Sequence, residues 1–335
     1  MAVLTNVVQS ETAGTPEASP VAIPSSPPKG YARLYNARLY KICYAIERIG
    51  GARIVPLLTL PFAALDILRR RRDYARFLRV RSAVLPATFW KSVGPLRHYM
   101  RMIFNWQETL MIALLYSRVS LPYWKKRFEV VGTAPQDLPE WGKRPVIVAF
   151  MHTGAFPIIR WYLRMQGLPT ASLVGAMPLI IDNDYYNVYL STGDKMNGVE
   201  GTPHYFRSIR DALRYLKPGR VLTMALDGGT IAPQSERPQV AGHLIDVKRG
   251  ACRVAAQTGA IVMPISMRRK GWCRYEVHYG SRVPDELLEK GDYAAATQHL
   301  VSELWPDLEA HPENLNWTAL EAFAPELIAP RIEWP

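Results

Sequence analysis

The chain has 335 residues, 48% hydrophobic and 21% charged, with 41 Lys and Arg against 29 Asp and Glu for a formal net charge of +12. Such a composition excludes a fibrous or largely disordered protein and suits a chain that buries a full core. The positive field leaves nucleic acid, an anionic membrane or an acidic carrier protein as partner classes. Cys43, Cys252 and Cys273 show no CxxC spacing and no pairing with histidines, so they read as ordinary reduced thiols and no metal site is expected.

Residues 1–30 are rich in Ala, Pro, Ser and Thr and lack the basic and apolar regions of a signal peptide, so they read as a disordered tail. From 31 to 125 apolar residues recur at helical spacing, the pattern of a helical region. Within it, Ile54 to Leu68 (IVPLLTLPFAALDIL) contains two prolines and Asp66, and falls short of the ~20 residues that span a bilayer. The arginine run that follows, LRRRRDYARFLRVR, carries Tyr74, Phe77 and Leu78. Together the two stretches suit a helix lying on an anionic membrane surface, with a solvated helix face as the plain alternative. The next helix, RHYMRMIFNWQETLMIALLYSRVS, is interrupted by polar residues at helical spacing and reads as a core helix.

After Trp141 the rhythm changes. PVIVAFMH reads as a buried strand, IIRWYLRMQG as a helix and TASLVGA as a strand. RSIRDALRYLKPG (helix), RVLTMALD (strand), KRGACRVAAQTG (helix) and AIVMPISMRR (strand) follow, and YAAATQHLVSELWPDLEAHPENLNW closes with a helix and an irregular tail. Alternation of this kind predicts an α/β domain over 126–325, with a central mixed, largely parallel sheet flanked by helices.

Two strand ends carry candidate chemistry, because catalytic groups in open α/β sheets gather at the carboxyl ends of strands. His152, in MHTGA, is placed where a histidine can take a proton from a hydroxyl at neutral pH, or simply cap the strand. Asp227, in ALDGGT, is an acid able to orient that histidine. Gly228 and Gly229 allow close backbone approach to a substrate, though Asp-Gly is also an ordinary turn. Lys248 and Arg249 precede Gly250 at a helix start, a place that favours phosphate. Arg207 and Arg210, three apart, are read as one helical face able to bind an anion. The chain lacks GxxxxGK[ST], a strand-linked GxGxxG, HExxH and GxSxG, which removes the standard routes to nucleotide hydrolysis, dinucleotide redox chemistry, zinc proteolysis and serine hydrolysis. No recognition helix or aromatic-stacking motif accompanies the basic residues, so no nucleic-acid partner is expected.

In order and spacing, the strand into His152, RSIRDALRYLKPGRVLTMALDGG, RGACRVAAQTGAIVMPISMRR and HPENLNW resemble the lipid A late acyltransferases and the related phosphatidylinositol mannoside acyltransferases, over about 31–323. The resemblance implies a glycerolipid-acyltransferase-like fold and transfer of a fatty acyl chain to a hydroxyl of a lipid or glycolipid. The donor would be an acyl carrier protein or acyl-CoA, with no other cofactor. It also implies peripheral attachment to the cytoplasmic face of a bacterial inner membrane; the oligomeric state stays open. The family's catalytic histidine is followed, after four residues, by an acid. Here Pro157 stands in that place. The resemblance therefore leaves three readings: a slow enzyme without the acid, an enzyme whose acid comes from elsewhere, with Asp227 first and Asp182 or Asp184 next, or a catalytically degenerate protein that binds lipid or acyl carrier protein. Where lipid A enzymes close on an Arg-Arg-Phe segment, this chain has Glu321 and Phe323, which points away from lipid A itself as acceptor.

Overall fold

The computed structural model describes residues 45, 60, 61, 63–65, 67, 68, 71–84, 93–116, 126–174, 184–227, 235–271 and 274–323. The tail expected over 1–30, Gly228, Gly229 and Asp182 lie outside these residues.

In chain order the elements are α1 (Arg71–Val84), α2 (Pro95–Tyr116), β1 (Phe128–Val131), β2 (Val146–Phe150), α3 (Ile159–Met165), β3 (Thr170–Leu173), α4 (Asp184–Met196), β4 (Tyr205–Phe206), α5 (Ile209–Tyr215) and β5 (Val221–Ala225). Four two-residue strands follow: β6 (Ser235–Glu236) pairs with β9 (Val247–Lys248), and β7 (Gln239–Val240) with β8 (His243–Leu244). Then come α6 (Gly250–Thr258), β10 (Ile261–Gly271), β11 (Arg274–Tyr279), α7 (Asp285–Glu289), α8 (Tyr293–Ala310) and α9 (Trp317–Phe323).

Seven strands form one sheet in the order β1-β11-β10-β2-β5-β3-β4. The neighbours from β10 through β4 pair in parallel, and β11 runs antiparallel to β10. This is the mixed, largely parallel sheet flanked by helices that the alternating pattern predicts. The central strands are continuous apolar runs because helices cover both faces. Alternate residues of β2 go to opposite sides. Ile147 and Ala149 join a core with Leu222, Met224, Val262, Ala255 of α6 and Leu300 of α8. Val146 and Val148 pack instead with Trp161 and Tyr162 of α3.

The helices before the sheet enter the first of these cores. Phe77 is buried at 0% exposure and Val80 lies beside it, and Phe77 and Tyr74 pack on the ring of Tyr99 in α2. Tyr74 and Phe77, expected to face a bilayer, thus pack on α2 instead; among the described residues of 60–68, Leu60, Leu65 and Leu68 are exposed. Among the described residues, no helix is long and apolar enough to cross a membrane.

Candidate active site

The central pair of strands builds the site by register. Phe150, the last residue of β2, is paired with Ala225, the last residue of β5. The residues two positions beyond each end, His152 and Asp227, therefore emerge side by side at the carboxyl edge. Asp227 Oδ1 lies 2.8 Å from His152 Nδ1, and Asp227 Oδ2 accepts the backbone N–H of His152 at 2.8 Å. The Asp227 side chain is fully buried, whereas the His152 side chain keeps 21% exposure.

Because the carboxylate can only accept, it fixes the tautomer: Nδ1–H points at Asp227 and the lone pair of Nε2 is left outward. The ring is further held edge-on to Phe156, with centroids 4.5 Å apart, and sits near Phe150. An orienting acid, a confined ring and an outward basic nitrogen are the parts of a general base.

The backbone after His152 is tightly committed. Gly154 has φ +54°, and a Cβ there would lie 2.3 Å from the carbonyl oxygen of Met267. Only glycine meets both demands. The Ala155 N–H donates to that same Met267 oxygen at 2.7 Å. Pro157 occupies a 3-10 turn, Phe156–Ile158, just before α3, where its missing donor is of no consequence.

The segment Pro312–Leu315, from the closing HPENLNW motif, docks on this loop. Gly154 N–H donates to Asn314 O at 2.7 Å, Asn316 N–H to His152 O at 3.3 Å, and Thr153 forms an antiparallel bridge with Leu315. The Asn314 side-chain amide is buried with neither polar atom hydrogen-bonded, so its contribution to the loop comes through backbone.

The other candidates separate. Arg207 is not on a helical face with Arg210: Ser208 is extended, α5 starts at Ile209, and Arg207 lies in the stretch between β4 and that helix, with both arginines exposed. Lys248 likewise belongs to β9 rather than the helix. Its backbone N–H donates to Leu226 O at 2.6 Å, beside Asp227, and its ammonium lies 3.8 Å from Asp246. Arg249 pairs with Glu236 at 3.2 Å, so an anion at these two residues would compete with existing carboxylates. Asp184 opens α4, and Glu321 lies in α9; their side chains are outside the described set. Burial raises the Cys252 thiol to about 12, leaving it an inert core group. Among the described residues no group of His, Cys, Asp and Glu could hold a metal ion.

Sequence reasoning missed a second buried network. Arg164, at 0% side-chain exposure, pairs with Asp194 at 2.7 Å, and Asp194 also accepts from Tyr116 Oη at 2.6 Å and from His204 Nε2 at 2.8 Å. Burial pushes His204 down to about 4, so the ring is neutral and donates. Burial pushes Asp194 upward, but the His204, Arg164 and Tyr116 contacts outweigh it and hold the carboxyl below its usual range. The network ties α3 to α4 and the β4 edge; its sequence trace is Arg164, the second of two arginines in the otherwise apolar IIRWYLRM.

No protein-family model matches the chain, and no curated protein matches it. Among solved structures it is similar to the 1-acyl-sn-glycerophosphate acyltransferase PlsC from Thermotoga maritima. The two share 15% identity over 77% of this chain and 98% of that chain, with a TM-score of 0.39. A similarity of that degree decides neither chemistry nor substrate.

Proposed function

We propose that this chain is an acyltransferase that moves a fatty acyl group from a thioester to a hydroxyl of a lipid or glycolipid, in the manner of the lipid A late acyltransferases. His152 Nε2 takes the proton of the acceptor hydroxyl as its oxygen attacks the thioester carbonyl. Asp227 stabilises the imidazolium that forms. Collapse of the tetrahedral intermediate breaks the C–S bond, and the proton on His152 passes to the departing thiolate.

The observation that carries this reading is the double hold of Asp227 on His152. It supplies the acid whose family position is taken by Pro157. Acyl carrier protein and acyl-CoA are both acidic, and either suits the +12 chain as donor. The arginine run and the exposed Leu60, Leu65 and Leu68 support peripheral attachment at the cytoplasmic face of a bacterial inner membrane. Arg207 and Arg210, both exposed, are candidates to meet an anionic headgroup.

The test is transfer of acyl chains from both thioester donors to lipid acceptors in mixed micelles, by the wild type and by His152→Ala. Turnover lost in the variant with the fold kept supports the reading. Equal turnover in both proteins would overturn it, and lipid binding without turnover in the wild type would favour a degenerate, binding-only protein.

A further inference from the structure

We propose that His98 is a positioning residue for His152, acting through the 313–316 segment; the inference deepens the acyl-transfer reading and rests on it for its kinetic consequence. His98 lies on α2 at 0% exposure, and its Nε2 is 2.6 Å from the carbonyl oxygen of Leu315, which is 217 residues away in sequence. Burial pushes the ring down to about 4. It is therefore neutral, and since a carbonyl only accepts, Nε2–H is the donor. The ring packs against Phe77 in a T-shaped contact, at 4.9 Å between centroids and 82° between planes.

One turn along the same face of α2, Arg101 donates to Glu313 Oε1 at 3.1 Å and to the Arg269 carbonyl at 2.8 Å. Residues 313 and 315 are thus gripped by α2. Residues 314 and 316 face the other way, accepting from Gly154 N–H and donating to His152 O. The segment is an adaptor with two sides: α2 sets one and the histidine loop reads the other. Asp227 fixes the His152 ring and amide, whereas this adaptor fixes the carbonyl of the same residue, so the base is pinned from opposite sides of its backbone.

A displacement of about 1 Å at a reacting group costs on the order of 10²-fold in rate, and His98 acts at that scale. His98→Phe keeps a ring against Phe77 and removes the donor, whereas His98→Gln replaces the donor at nearly the same reach. Both are made in the full chain and read in two ways. The first is the downfield Nδ1–H proton of His152, identified by its loss in His152→Ala; the second is the steady-state kinetics of acyl transfer.

His98→Phe is expected to shift or broaden the His152 proton and to lower kcat about 10- to 100-fold with KM for the thioester unchanged. His98→Gln is expected to restore both. An unchanged His152 proton and kcat in a folded His98→Phe protein would overturn the proposal, as would a His98→Gln protein no better than His98→Phe. Should His98→Phe not fold, Arg101→Gln loosens the same adaptor at residue 313 and must show the same two effects. The proton signal needs no substrate, so a chain that responds in it but transfers no acyl group would sink the acyl-transfer reading and leave the positioning role standing.

Discussion

Asp227 holds His152 at two points with two different oxygens, the ring Nδ1 with Oδ1 and the backbone N–H with Oδ2, each at 2.8 Å. The arrangement couples the orientation of the imidazole to the path of the main chain. Asp227→Asn is expected to keep the backbone hydrogen bond, spoil the tautomer, and lower kcat by about two to four orders of magnitude. Single-turnover transfer beside a circular dichroism spectrum checks this; a rate within tenfold of wild type in a folded protein would remove Asp227 from the mechanism.

The same geometry sets what a carboxylate at position 157 can do. With the ring N–H at Nδ1 already held by Asp227, Pro157→Glu finds no further ring N–H to hold and is expected to leave the rate within about threefold of wild type. In an Asp227→Asn background it is expected to recover part of the loss. A large gain from Pro157→Glu alone would mean that Asp227 is not the working acid.

Gly154→Ala is expected to destabilise the protein by about 2 kcal/mol or more, since it adds left-handed strain and a contact of 2.3 Å with Met267 O. The loss of activity is expected to exceed the loss of folded protein, because Gly154 N–H is one of the anchors of the histidine loop. Chemical denaturation and kcat measured on the same samples separate the two effects.

His98 and His204 are both pushed down to about 4 by burial, while an unfolded chain titrates them near 6.5. Between those values the unfolded state binds more protons, so stability is complete above about pH 6.5 and falls as the pH drops towards 4, by up to a few kcal/mol per histidine. Urea midpoints between pH 7.5 and 4.5 check the slope, which is expected to flatten in His204→Gln.

On anionic vesicles, Leu65→Ser with Leu68→Ser is expected to weaken sedimentation. Tyr74 and Phe77 are engaged with Tyr99, so substitutions there are expected to cost stability instead. High salt is expected to release only part of the protein, because the arginine attraction is screened and apolar insertion is not. Co-sedimentation at two salt concentrations tests both; a double variant that sediments like wild type would move the contact elsewhere.

What was legible in the sequence follows from burial. β2, β5 and β10 are apolar runs covered on both faces, so composition alone marks them. β1, the edge strand, reads FEVV with three exposed residues, and β11, between β1 and β10, reads RYEVHY with Arg, Glu and His among its six residues; neither carries enough apolar signal to stand out. α4, DYYNVYLSTGDKM, was hidden by its polar residues. The His152–Asp227 pairing could be suspected, since both residues end strands, but their register could not be read until β2 and β5 were seen to be neighbours. His98 and Arg101 looked like polar interruptions in a core helix, and nothing local marks a partner 217 residues on.

The backbone contacts from Asn314 and Asn316 to the histidine loop also impose an order in time. A ribosome adds roughly 5–20 residues per second, so β2 and His152 are made well before the segment that fastens them. A nascent chain can pair β2 with β5 and bring Asp227 to the ring while the Gly154 N–H and the His152 carbonyl still await their partners. The base is completed only when residues 314–316 arrive. The segment that arms the site is thus made after the strands it serves, and a chain halted before residue 314 would hold its sheet but not its set histidine.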